Sequence, residues 1–267
     1  MKYLSTRRRH PAAKPLILVL ALFLVGAVYA LVIPSSQVSA APGMSQQVEE
    51  GKALFQVSCS SCHGLNGEGT TQGPALVGVG AASVDFQMGT GRMPMAKPGQ
   101  QAPRKTSEFS PEEISAISTY VATLGPGPAI PPASVVDPSN LTDEEIARGG
   151  DLFRANCSAC HNISGQGGAL PEGRYAPPLT DVEPVHIYEA IRIGPQQMPV
   201  FSKNVLTDED ATQIIGYLQA VTNENPSGGL SLGNMGPVTE GLWAWVVGIG
   251  GLALVATWIA SKGARSK

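Results

Sequence analysis

Aromatic and charged side chains are both scarce in this chain, at 6% and 15% of its 267 residues. So few rings and ion pairs do not make one large self-supporting core. The 31 glycines and 22 prolines instead fit small, loop-rich domains that complete their cores around a bound group. Acidic residues are absent from both ends, since all 21 lie between Glu49 and Glu240. Only 10 basic residues share that middle, which therefore carries a net charge of −11 (10 − 21). The other cations, Lys2, Arg7, Arg8, Arg9, Lys14, Lys262, Arg265 and Lys267, sit in the two tails. Such a middle argues against a nucleic-acid partner and suits docking onto something basic, or simple solubility. Cysteine is limited to four residues, and their placement leaves none for disulfides.

Those cysteines form two copies of one device, Cys59-Ser60-Ser61-Cys62-His63 and Cys157-Ser158-Ala159-Cys160-His161. A lone C-x-x-C could be a redox pair or half of a zinc site. With histidine directly after it, the pattern reads as covalent haem attachment. Two thiols one helical turn apart can each add to a haem vinyl group, and the next imidazole then stands over the iron. Two such copies imply two haem c groups, held by Cys59, Cys62, Cys157 and Cys160, with His63 and His161 on the iron.

Two apolar runs bracket the acidic middle, Leu16 to Ile33 (18 residues) and Leu242 to Ala260 (19 residues). Both approach the roughly 20 residues that span a bilayer. Trp243, Trp245 and Trp258 lie near the ends of the second run, where amphipathic rings favour the interface. Basic residues flank the outer end of each run, so both termini are expected in the cytoplasm and the haem domains outside it. The first run has a rival reading, because Val38-Ser39-Ala40 before Ala41 resembles a signal-peptide cleavage site. Its length exceeds an ordinary signal core, and it is read here as an anchor. The protein is then multi-pass in the cell membrane, or single-pass if the segment is removed.

Between the runs the chain repeats itself. Gly51, Leu54, Phe55, Cys59, Cys62, His63, Gly67 and Gly69 recur 98 positions later as Gly149, Leu152, Phe153, Cys157, Cys160, His161, Gly165 and Gly167. Pro74 and Leu76 match Pro177 and Leu179, Met93-Pro94 matches Met198-Pro199, and Tyr120 matches Tyr217. Helical periodicity runs from Gln46 into the first motif and from Thr142 into the second. Ser110-Pro111-Glu112-Glu113 opens a closing helix, and a second closing helix covers roughly 207–222. The expected organisation is a basic tail (1–15), an apolar helix (16–33), a linker (34–44), a first domain (45–125), a proline-rich linker (126–140), a second domain (141–223), a linker (224–241), a transmembrane helix (242–260) and a basic tail (261–267). The fold class is all-α with two tandem domains.

An electron-carrying haem needs a sixth ligand, and methionine opposite histidine raises its potential. Met198 is the sole methionine of the second domain. In the first, Met88, Met93 and Met95 compete. Met93 is favoured by its shared Met-Pro pattern, Met95 is the alternative, and Met88 reads as core. His186 reads as a surface or supporting residue, and His10 lies in the basic tail.

On these residues each half resembles a small class I cytochrome c. In that family a proline carbonyl holds the haem histidine's other nitrogen, a role that would fall to Pro74 and Pro177. The whole chain is similar to the dihaem cytochrome c subunit of actinobacterial cytochrome bc complexes, the quinol–cytochrome c reductases. That resemblance implies an electron-transfer subunit of a translocase, with cytochrome b, the Rieske iron–sulfur protein, an aa3-type oxidase and membrane lipid as partners. No separate catalytic residue is expected. The alternatives are a dihaem subunit of a cbb3-like oxidase, a stand-alone membrane electron carrier and a dihaem peroxidase. A C-terminal helix counts against the first, and methionines in both domains count against the last.

Overall fold

The structure, a computed structural model, describes residues 13–32, 42–223 and 237–263. The Val38-Ser39-Ala40 junction, His10 and most of the two basic tails lie outside the described residues. An N-terminal helix, α1 (Ala13–Val32), stands as its own unit, and its described side chains are exposed.

The first domain is built from α2 (Pro42–Ser58), α3 (Ser60–His63), α4 (Ala81–Gly89) and α5 (Pro111–Ala122). After a four-residue turn of helix, α6 (Ala133–Val136), the second domain repeats the plan. It has α7 (Asp143–Asn156), α8 (Ser158–His161), α9 (Pro184–Ile193) and α10 (Asp208–Asn223). The strands among the described residues are a two-residue pair, β1 (Gly168–Ala169) and β2 (Tyr175–Ala176), antiparallel with Gly168 opposite Ala176. A long apolar helix, α11 (Pro237–Gly263), follows.

Three helices start on one device. Ser110 Oγ accepts from Glu113 N while Ser110 N donates to Glu113 Oε2, and Thr142 does the same with Glu145. Thr207 and Asp210 repeat it with a shorter acid. Each pairs two backbone groups that a helix start leaves without partners, and the acids of the first turn face the positive end of the helix dipole.

In each domain the first and last helices cross at a glycine. A Cβ on Gly51 would collide with the Ala116 carbonyl, and one on Gly149 with the Gln213 carbonyl. Only glycine permits backbone against backbone at that distance. Flanking rings then meet at a tilt, Phe55 with Tyr120 (centroids 5.3 Å apart, 56°) and Phe153 with Tyr217 (5.6 Å, 42°). Around them lie two separate cores. One gathers Val84, Met88, Ile114, Ile117 and Val121, the other Ile187, Ile191, Leu206, Ile214, Ile215 and Leu218.

The two domains pack through corresponding elements, α4 against α9. The α4 helix buries Ala82, Val84, Phe86 and Met88, every second residue, because both of its sides are covered. His186 stands edge-on to Phe86 (6.2 Å, 81°), with its Nε2 3.8 Å from Asp85 Oδ2 and its side chain 12% exposed. Of the two roles expected for His186, surface or supporting, the surface one is corrected here: its side chain is largely buried in a contact between the domains. Burial pushes its pKa down, with Asp85 and Glu183 opposing, so the imidazole tends to neutrality. Beside it Glu189 is fully buried, and its pKa is pushed up to about 9, by burial first and Asp85 second. Polar bridges extend the contact. Gln101 donates to Tyr175 O (2.6 Å) and accepts from Tyr175 N (3.2 Å), Arg104 Nη2 donates to Asp181 O (2.9 Å), and Gln196 donates to Ala102 O (3.2 Å).

The proline-rich segment between the domains is mostly exposed but is held at both ends. Ala82 N donates to Pro128 O (3.1 Å), Val135 and Val136 lie on the second core, and Thr212 donates to Val135 O (2.6 Å). At the far end, Gly241–Gly263 of α11 are 23 residues long and apolar enough to cross a membrane, with their side chains exposed. At 1.5 Å per residue they span about 35 Å, more than the hydrocarbon core of a bilayer. The described apolar part of α1, Lys14–Val28, is shorter than a span.

Candidate haem sites

Each cysteine–histidine motif forms a short helix that continues from the glycine crossing. The backbone at Cys59 (φ −121°, ψ −32°) and Cys157 (φ −121°, ψ −33°) is the same, kinking the long helix so that the next turn starts afresh. Amides of Cys62 and His63 donate to Cys59 O, and those of Cys160 and His161 to Cys157 O. This turn sets the two thiols and the imidazole in a fixed relation. Burial, followed by the neighbouring cysteine, pushes the pKa of Cys59 and of Cys157 up to about 11, so both are neutral thiols.

The loop after each histidine turns back on it. Gly69 N donates to His63 O (2.7 Å) and Gly167 N to His161 O (2.9 Å). A Cβ at Gly69, where φ is +86°, would lie 2.6 Å from Ala75 N, so the loop closes this tightly only on glycine. Closure brings Pro74 O to 2.7 Å from His63 Nδ1 and Pro177 O to 3.1 Å from His161 Nδ1. A carbonyl can only accept, so Nδ1 carries the proton and Nε2 presents its lone pair. Burial also pushes the His161 pKa down, the Pro177 carbonyl opposing, which favours the neutral ring. A neutral imidazole with a free Nε2 and an oriented ring is what haem iron requires.

Around the second motif the structure leaves a cavity of about 260 Å³. Cys157, Cys160, His161, Pro177, Met198 and Phe153 line it, together with further apolar side chains and several polar ones. It brings together every second-domain residue expected at the site. A mainly apolar cavity with two thiols, an imidazole and a thioether on its walls fits haem c. In the first domain Cys59 and Met93 both pack against the core around Phe55 and Ile117. Met88 is buried within that core, 5% exposed, as expected. Met95 is not among the residues packed there, and its Cε lies near Gly99.

Sequence reasoning missed Arg192. Its guanidinium, buried on α9, donates to the carbonyls of Phe201 (3.1 Å), Leu206 (2.7 Å) and Thr207 (3.0 Å) and to Asp208 (2.9 Å). It thereby ties down the loop that follows Met198. The available signal was an arginine inside the apolar stretch Ile187, Tyr188, Ile191, Ile193.

Residues 48–125 match the family model described as cytochrome c. Residues 144–218 match that of cytochrome C oxidase, cbb3-type, subunit III. Tandem domains of this kind, each with its thiol pair, oriented imidazole and methionine loop, define a dihaem c-type cytochrome carrying two covalently bound haem c groups. The chain is 42% identical over 265 residues to the cytochrome bc1 complex cytochrome c subunit of Mycobacterium tuberculosis, covering 97% of this chain and 93% of the relative. With the Corynebacterium diphtheriae protein of the same name, identity is 40% over 267 residues, with 95% of both covered. It therefore belongs to the family of cytochrome bc1 complex cytochrome c subunits. A more distant relative, the cbb3-type cytochrome c oxidase subunit FixP of Azorhizobium caulinodans, is 33% identical over 96 residues, 33% of this chain and 31% of that one.

Proposed function

We propose that this chain is the electron-carrying subunit of a membrane quinol–cytochrome c reductase, taking electrons from the Rieske iron–sulfur protein beside cytochrome b and passing them to an aa3-type oxidase. The observation that supports it is the pairing of two haem domains, packed through α4 and α9, with an exposed apolar helix after them. Two sites held in one body suit serial transfer within an assembly, where a diffusing carrier is not needed. The acidic middle, from Glu49 to Glu240, suits docking onto basic faces of such partners. In this reading α11 anchors the protein in lipid, α1 is a second anchor, and the haem domains lie outside the cytoplasm. The subunit turns over no substrate of its own and contributes to a translocase.

When bound, haem c supplies a one-electron iron couple. Cys59 and Cys62, and Cys157 and Cys160, would hold the two groups covalently. His63 and His161 would ligate iron through Nε2, with Pro74 and Pro177 fixing the rings. Met198 and, in the first domain, Met93 would complete the ligand sets, their soft thioethers favouring the reduced state. Met93 is preferred to Met95 because it, like Cys59, packs on the first-domain core. The domain boundaries proposed are 45–125 and 141–223.

A cbb3-like oxidase subunit is the second reading, favoured by the family match over the second domain. Solubilising membranes in mild detergent and identifying the proteins bound to this chain separates the two. Cytochrome b and a Rieske protein are expected, and a copper oxidase without them would overturn the proposal. Such membranes should also oxidise quinol with oxygen at full rate without soluble cytochrome c, and with weak dependence on salt.

A further inference from the structure

The cavity around His161 and Met198 is not closed by the second domain alone. Phe86, Thr90, Arg92, Gln101, Ala102 and Arg104 of the first domain complete its wall. Two of these are cations in an unusual position. Arg92 is 9% exposed and lies 4.8 Å over the Phe86 ring. Among the described residues no carboxylate pairs with it. Arg104 spends one donor on Asp181 O and likewise has no carboxylate partner among the described residues. The nearby acids are grouped elsewhere: Asp85 faces His186, and Glu189 clusters with these two, their polar atoms within 4.8 Å of one another. A buried guanidinium without an anion costs several kcal/mol, and an arginine fork is shaped for carboxylate. Haem c, the group this cavity fits, carries two propionate carboxylates.

We propose that Arg92 and Arg104 of the first domain receive the propionates of the second-domain haem, making that site a joint product of both domains. This rests on the dihaem reading above. It assigns the α4–α9 contact a task beyond packing, because the reduction potential of the second haem then depends on the first domain being docked. Positive charge beside the propionates stabilises the reduced state, and its removal makes that haem harder to reduce.

The test uses the full-length holoprotein in detergent, titrated electrochemically while the two haem spectra are followed, with Met198→Ala identifying the second-domain component. For Arg92→Gln with Arg104→Gln, the oxidised-to-reduced ratio of that component, read at the wild-type midpoint, should rise about tenfold. The first-domain component should move less than the second; because Arg92 adjoins Met93, Arg104→Gln by itself is the substitution that should leave the first component in place. Arg92→Lys with Arg104→Lys keeps the charges and should restore most of the potential. Lys105→Gln removes a cation of the same segment that pairs with Glu108, and should leave both components in place. Should the double variant fold poorly, Arg104→Gln alone touches an exposed side chain and should give a shift of about threefold. Two bound haems with an unmoved second component would overturn the proposal, as would equal shifts in both components. Fewer than two haems per wild-type chain would instead overturn the dihaem reading beneath it.

Discussion

Gly149→Ala should unfold the second domain more readily than its small size suggests. An added Cβ falls inside van der Waals distance of the Gln213 carbonyl and 3.0 Å from Ile214 N. All three contacts are backbone of α10, so no side chain can swing away. Ordinary contact begins near 3.4 Å, and the helices must therefore part by roughly 1 Å or more, a gap that forfeits a quarter to a half of each contact's dispersion energy. The contacts at stake include Phe153, Ile214 and Leu218, each 2% exposed or less. Overpacking of this kind costs about 1–3 kcal/mol, occasionally more, and alanine returns about 1 kcal/mol of helix propensity. With the core loosened as well, a net loss of about 2–3 kcal/mol is expected. Gly150→Ala is the matched comparison, since its Cβ meets side chains rather than backbone, the Tyr217 ring at 2.9 and 3.0 Å and Arg154 Nη1 at 3.2 Å. It should cost less than Gly149→Ala. Urea unfolding of the holoprotein, followed by the Soret band and by far-UV circular dichroism, measures both. If Gly149→Ala falls within 0.5 kcal/mol (roughly the scatter of surface changes) of wild type, or matches Gly150→Ala, the close crossing is not what glycine serves there.

Met198→Ala and Met93→Ala should each remove the thioether–iron absorption of one haem, turn that haem partly high-spin and lower its potential, whereas Met95→Ala should not; a spectrum altered by Met95→Ala and untouched by Met93→Ala reverses the assignment. Glu189 is held protonated when folded, with a pKa of about 9, so the wild-type protein should lose stability as pH rises from the ordinary carboxyl range towards 9. Glu189→Gln cannot ionise and should flatten that loss by a few kcal/mol, tested by urea midpoints at about pH 5 and 8.5, where parallel changes in the two proteins would refute the idea. Arg192→Gln should leave two haems bound but free the loop after Met198, seen as faster displacement of the second-domain methionine by imidazole; an unchanged rate would deny Arg192 its positioning role.

Much of this protein follows from local rules that a sequence displays directly. Two thiols and an imidazole within five residues are one helical turn, whatever surrounds them, and they recur at Cys157–His161. Capping pairs such as Ser110 with Glu113 sit three residues apart, and the apolar faces of α5 and α10 repeat every three to four residues. The internal repeat, at an offset of 98 through the motifs and of 97 to 105 beyond them, then relates each of these residues to a counterpart in the other domain. What stayed hidden depends on residues far apart in the chain. The α4 helix buries alternate residues because α9 covers its second face, and that spacing has no helical signature of its own. Gln101 and Tyr175 bond across 74 positions, and His186 meets Phe86 only because the two domains dock. Proline and glycine between Gly125 and Asn140 announce a spacer, yet Val135 and Thr212 bind that segment to the second core. Local chemistry decided where haem attaches; only the tertiary packing decided which arginines would face it, because a contact between domains leaves no periodicity in either stretch of sequence.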